Sequence, residues 1–175
     1  MPTKYADVNG YATHYYYVGK TTLPEVVPDF SRGRPLVLLH GAGSNGHAWH
    51  YQYDHLGNRH SPIALDLPGH GRSSGVEGLR TVADYAAFTL AFLDAVRLDS
   101  IVIAGHSMGG AIAMELAMRH PTRVEALLLI ATAAQFNIPK DRIETWRAVT
   151  MGRASQPFNN DGYSPKTIAS KPEII

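Results

Sequence analysis

The stretch Ile101-Val102-Ile103-Ala104-Gly105-His106-Ser107-Met108-Gly109-Gly110-Ala111-Ile112-Ala113-Met114 constrains this chain more than any other. A β-branched apolar run opens it, Gly-x-Ser-x-Gly fills the middle, and an apolar segment of helical character follows. A strand, a sharp turn and a helix would be written in that order. Glycines at 105 and 109 suit a turn so tight that side chains there would collide with the neighbouring strand and helix. Ser107, at the apex, would have its hydroxyl pushed clear of the sheet. The pentapeptide alone also occurs in ordinary Gly/Ser loops. The strand before it and the helix after it favour a nucleophile, and Ser107 is the candidate.

The rest of the composition excludes several classes. Of 175 residues, 45% are hydrophobic and 18% charged, with a net charge of +1, an ordinary globular balance. No basic cluster or long apolar run points to nucleic acid or a membrane. The absence of cysteine removes disulfides and a cysteine nucleophile. The first ten residues hold no apolar leader segment, so a cytoplasmic location is expected.

Taken in order, Tyr5 to Val8 and Tyr11 to Val18 read as a hairpin around Asn9-Gly10, which supplies the positive φ angles of a two-residue turn. The tyrosines at 11, 15, 16 and 17 suit sheet packing. Residues 19–34 read as a loop, and Pro35 to Leu39 as a buried strand. Gly41-Ala42-Gly43-Ser44-Asn45-Gly46 then satisfies a dinucleotide-binding fingerprint, with Asp66 placed twenty residues later to meet a ribose. The bulky segment His47-Ala48-Trp49-His50-Tyr51-Gln52-Tyr53 argues against a helix that must approach a pyrophosphate, and the fingerprint leaves the later Gly-x-Ser-x-Gly unexplained. A dinucleotide-binding oxidoreductase is therefore the lesser alternative. His47 and His50 read as surface or loop histidines, because no further ligands stand at metal-binding spacing. No cofactor or metal is expected.

Pro62 to Leu67 reads as a further strand, and Asp66 as a structural acceptor for the loop after it. Thr81 with Asp84 begins a helix whose stripe is Val82, Tyr85, Ala86, Thr89, Leu93 and Val96. The helix after Ser107 runs to about His120, and Val124 to Ile130 is one more apolar strand. Strands alternating with helices imply an α/β fold with a mainly parallel sheet and flanking helices. Helical spacing returns over 141–151, and Ser170 with Glu173 forms a capping box.

Three segments, Leu36-Val37-Leu38-Leu39-His40-Gly41-Ala42-Gly43, Ala64-Leu65-Asp66-Leu67-Pro68-Gly69-His70-Gly71-Arg72-Ser73 and Gly105-His106-Ser107-Met108-Gly109-Gly110, together resemble the first part of an α/β-hydrolase, of the subgroup with a helical cap. The resemblance spans about residues 35–132. It implies an α/β-hydrolase core over 1–132 and the beginning of a cap, incomplete, over 133–175. It also implies that the backbone N–H groups of Ala42 and Met108 form the oxyanion hole, and that the enzyme cleaves an ester or related acyl bond of a small molecule. Diketone hydrolysis and perhydrolysis use the same elbow.

The resemblance places the triad acid and histidine after the cap. All nine histidines here lie at or before position 120. Residues 131–137 hold no carboxylate, so an acid just after the strand ending at Ile130 is also missing. These signs lead to the expectation of a fragment truncated before the last strands, weakly active or inactive, with an apolar edge at 124–130 open to self-association. A non-catalytic receptor that holds a small ligand on the same fold is the alternative from another class.

Overall fold

Alternation along the apolar runs explains the architecture. In the computed structural model, which describes residues 1–135 together with Lys140, Asp141, Glu144 and Ala148, β3 (Pro35–Leu39), β4 (Ser61–Leu65) and β5 (Ile101–His106) pair in parallel. Residues two apart on a strand share a face. Val37, Leu39, Ile63, Leu65, Ile101 and Ile103 therefore join one core with α2 (Val82–Ala95) and α3 (Met108–Arg119). Leu36, Leu38, Ala64, Val102 and Ala104 point the other way, onto Trp49 and Tyr53. With both faces covered, the strands read as unbroken apolar runs.

The strand order is β1-β2-β4-β3-β5-β6. β1 (Thr3–Val8) and β2 (Tyr11–Tyr17) form an antiparallel hairpin, β2 lies antiparallel to β4, and β6 (Val124–Ile130) lies parallel to β5. The expected α/β arrangement, a mainly parallel sheet with flanking helices, is present. Asn9 (φ 53°) and Gly10 (φ 82°) both take the left-handed conformation that the hairpin turn demands. The tyrosine run divides by parity: Tyr15 and Tyr17 enter the core under α2, and Tyr16 the opposite one.

Two readings of the sequence need correction, and one segment left open is now assigned. The strand expected over 62–67 runs Ser61–Leu65, and Asp66 leaves it to gather the following loop. The ring-rich segment after Gly46 is helical: a 3-10 turn, Gly46–Trp49, leads into α1 (His50–Gly57). Asn45 starts it by accepting the His47 N–H at 2.9 Å, and Trp49 and Tyr53, four apart, supply a buried face. On α2, Val82 is 36% exposed, whereas Phe88 and Phe92 are buried because the helix packs on α3 as well as on the sheet. The expected capping box is present, with Thr81 and Asp84 each bonding the other's N–H at 3.0–3.1 Å.

Met1–Ala134 form one compact unit, and a second begins at Gln135, of which the described residues after 135 are helical. The rest of the 141–151 segment and the Ser170–Glu173 box lie outside the described residues. Among the described residues, β5 alone pairs with β6, and Leu127 to Ile130 are 38–46% exposed, the apolar edge that the sequence led us to expect. No helix of the described residues is long and apolar enough to cross a membrane.

Candidate active site

β5 ends at His106 and α3 begins at Met108, so a single residue turns the chain. That residue, Ser107, has φ 52° and ψ −118°, a region essentially reserved for glycine. The packing explains why no milder turn is used. A Cβ on Gly105 would lie 2.2 Å from the Gly109 carbonyl oxygen, and one on Gly109 would lie 2.4 Å from that of Leu39. Strand, turn and helix are thus in backbone contact, as the spacing of the two glycines implied. Ser107 makes no side-chain capping bond to α3, which leaves its hydroxyl available. Its N–H donates to the Ile130 carbonyl at 3.0 Å.

The loop after β3 folds back over this turn. A Cβ on Gly41 would approach Ser107 Cβ at 3.2 Å and His106 Nδ1 at 3.0 Å, so only glycine sits there without displacement. Ala42 follows, exposed, and the loop closes through a bond from the Ser44 N–H to the Gly41 carbonyl at 3.2 Å. Met108 opens α3, where first-turn N–H groups have no acceptor within the helix. Among the described residues, neither the Ala42 nor the Met108 N–H donates to a protein acceptor. The helix dipole adds partial positive charge at this end. The structure brings Gly41, beside Ala42, against Ser107, with Met108 next to Ser107 in the turn.

His40, which the sequence reading did not single out, holds the loop. Its Nδ1 lies 2.8 Å from the Gly41 carbonyl and its Nε2 3.1 Å from the Leu67 N–H. A carbonyl only accepts and an amide N–H only donates, so Nδ1 carries the proton and the ring is neutral. Burial is the main cause that pushes its pKa down to about 4, against a raising effect of the Gly41 carbonyl and a small lowering from His70, whose ring is 5.0 Å away. Between that value and the ordinary 6.5 the unfolded chain binds the proton and the folded chain does not. Stability is therefore expected to fall as pH drops from 6.5 towards 4, by about 3 kcal/mol in total. Denaturant midpoints measured across this window should lose that slope in His40→Gln; an unchanged slope would contradict the assignment.

Asp66 is fully buried and spends both oxygens inside the protein. Oδ1 accepts the Gly46 N–H at 2.6 Å; Oδ2 accepts from His14 Nδ1 at 2.9 Å and from the Arg72 N–H at 2.8 Å. Burial raises its pKa, but the bonds from His14, Arg72 and Gly46 outweigh that and leave it below the ordinary carboxylate range. This stabilisation is lost only on acidification through that lowered value, below the His40 window. The dinucleotide reading is thereby overturned. The glycine and the carboxylate of its fingerprint do meet, twenty residues apart, but they bond each other and leave no oxygen for a ribose. His47 and His50 stack at 4.8 Å, with His50 Nδ1 bonded to the His47 carbonyl.

A cavity of about 200 Å³ between Lys4, Asp7, Glu25 and Val96 contains none of these residues. Besides His40, sequence reasoning missed Thr132, whose hydroxyl donates to the Ser107 carbonyl at 2.7 Å, and the role of Gly110, where a Cβ would meet Thr132 at 2.5 Å. The doubled glycine at 109–110 was the one available signal.

Comparison with known proteins agrees with this geometry. The profile of the family described as alpha/beta hydrolase fold matches residues 34–169, and the chain belongs to that family. It is 32% identical over 128 residues to the dihydrolipoyllysine-residue acetyltransferase component of the acetoin cleaving system of Cupriavidus necator, covering 73% of this chain and 31% of that protein. It is 38% identical over 102 residues to the pimeloyl-[acyl-carrier protein] methyl ester esterase of Salmonella heidelberg, covering 58% and 38%. The chain thus spans about a third of the length of these relatives. The enol-lactonase from Burkholderia xenovorans LB400 superposes with a TM-score of 0.78 over 97% of this chain and 64% of that one; at 23% identity this is a likeness of fold alone.

Proposed function

We propose that this chain carries the nucleophile and the oxyanion donors of a hydrolase that cleaves an ester or related acyl bond of a small molecule through a Ser107 acyl-enzyme. Ser107 Oγ attacks the acyl carbon, and its proton passes to a base. Negative charge then develops on the carbonyl oxygen, where the N–H groups of Ala42 and Met108 receive it. Collapse expels the alcohol and leaves the acyl group on Ser107, and water releases the acid by the reverse path. The observation that carries this reading is the backbone of Ser107, a non-glycine residue held in a glycine conformation at a strand-to-helix turn. Stored strain of this kind persists where the surroundings over-determine it, often at reacting groups.

Among the described residues, His14 is tied to Asp66 and His40 to Gly41 and Leu67, and the family resemblance places the base after the cap, beyond His120. Loss of the histidine from such a unit lowers turnover by on the order of 10⁶ and leaves roughly 10³–10⁴ over water. The 175 residues alone are therefore expected to turn over esters very slowly. Covalent capture is the better assay. In the protein extended to the length of its relatives, where a base would be present, a fluorophosphonate should label Ser107, and Ser107→Ala should abolish the label. An extended protein that folds yet resists the probe would favour a ligand-binding protein without turnover.

A further inference from the structure

We propose that Thr132 is a positioning residue that aims the Met108 N–H, an inference that rests on the acyl-enzyme reading above. Three observations meet at the end of β6. The Ser107 N–H donates to the Ile130 carbonyl at 3.0 Å, and Thr132 Oγ1 donates to the Ser107 carbonyl at 2.7 Å. Ala131, between them, has φ 45°, a left-handed bend that turns the chain from one contact to the other. Both polar backbone atoms of Ser107 are thus gripped by one short segment. Gly110 makes room for the grip, because a Cβ there would lie 2.5–2.6 Å from the Cγ2, Cβ and Oγ1 of Thr132.

The Ser107 carbonyl does not need this bond for satisfaction, because the Gly110 and Ala111 N–H groups already reach it at 3.0 and 3.3 Å. The added donor, shorter than either, fixes direction. The peptide unit joining 107 to 108 is planar and trans, so its C=O and N–H point in opposite directions. A hydroxyl that holds the Ser107 carbonyl on one side therefore holds the Met108 N–H out on the other, where the acyl oxygen would sit. A bond to the carbonyl also polarises the same peptide and strengthens its N–H as a donor. Without it, a strained turn is free to relax by rotating this plane.

The test, made in the protein extended to the length of its relatives so that a base is present, compares Thr132→Val and Thr132→Ala, which lack the donor, with Thr132→Ser, which keeps it. The rate of fluorophosphonate labelling at Ser107 should fall about tenfold in Val and Ala and recover in Ser, a smaller loss than removing an oxyanion donor outright. The Met108 amide resonance should shift in Val and Ala and return in Ser, a signature that general destabilisation would not reproduce. Equal labelling rates across wild type, Val and Ala would overturn the proposal, as would an unmoved Met108 resonance. If wild type resists the probe while the Met108 resonance still follows the hydroxyl, the grip on the peptide stands and the acyl-enzyme reading fails.

Discussion

Gly105→Ala is expected to cost the fold about 3 kcal/mol or more, a loss that many domains of this size cannot sustain. The added methyl would lie 2.2 Å from the Gly109 carbonyl oxygen, 2.4 Å from its carbon and 2.5 Å from the Gly110 nitrogen. All three are backbone atoms of the first turn of α3, so no side chain can swing aside. Relief requires the helix to slide away from β5, which would also uncouple Gly109 from the Leu39 carbonyl. Gly43→Ala is the control. Its φ is 72° and nothing lies within 4 Å of the added Cβ, so only conformational strain of about 1 kcal/mol is expected. Urea midpoints of the two variants decide the matter: equal losses would show that contact at the elbow is not what excludes a side chain.

Ser107→Gly and Ser107→Ala are expected to separate in the opposite sense from most glycine substitutions. Both remove the hydroxyl and should abolish covalent labelling. Glycine relieves the strain of φ 52°, ψ −118°, worth on the order of 1–3 kcal/mol, while its looser unfolded chain gives back about 0.4–1 kcal/mol. The glycine variant should therefore be more stable than the alanine variant by about 1 kcal/mol. That pattern, stability gained where reactivity is lost, is the mark of strain kept for function. An alanine variant as stable as glycine would mean that the strain at Ser107 is no larger than the entropy offset of about 0.4–1 kcal/mol.

Much of this organisation was legible in the sequence because it is periodic or local. The apolar runs at 35–39 and 101–106, the Asn9-Gly10 turn and the Thr81–Asp84 box each express a rule that spans a few residues. The spacing of Gly105 and Gly109 around Ser107 belongs with them, since close packing leaves glycine as its trace. What escaped depends on the third dimension. His40 is one residue after a strand, and nothing in its neighbours announces that its two nitrogens reach Gly41 and Leu67, the latter 27 residues away. Thr132 lies 25 residues from the carbonyl it holds. Asp66 and Gly46 were recognised as a pair at the right separation for another purpose, because spacing alone does not say whether a carboxylate faces a ligand or its own loop. Phe88 and Phe92 were missed on α2 because the stripe was matched to one packing surface, and the helix has two. The helix over 47–53 went unassigned because its rings were weighed only as bulk, whereas Trp49 and Tyr53 fill the space beneath α1.

The most direct measurement is a crystal structure of the protein, extended to the length of its relatives, after reaction with a fluorophosphonate. The account predicts phosphorus bonded to Ser107 Oγ, with the phosphoryl oxygen within hydrogen-bond distance, about 2.7–3.1 Å, of the Ala42 and Met108 nitrogens. Phosphorus on a different residue, or a phosphoryl oxygen turned away from both amides, would contradict it.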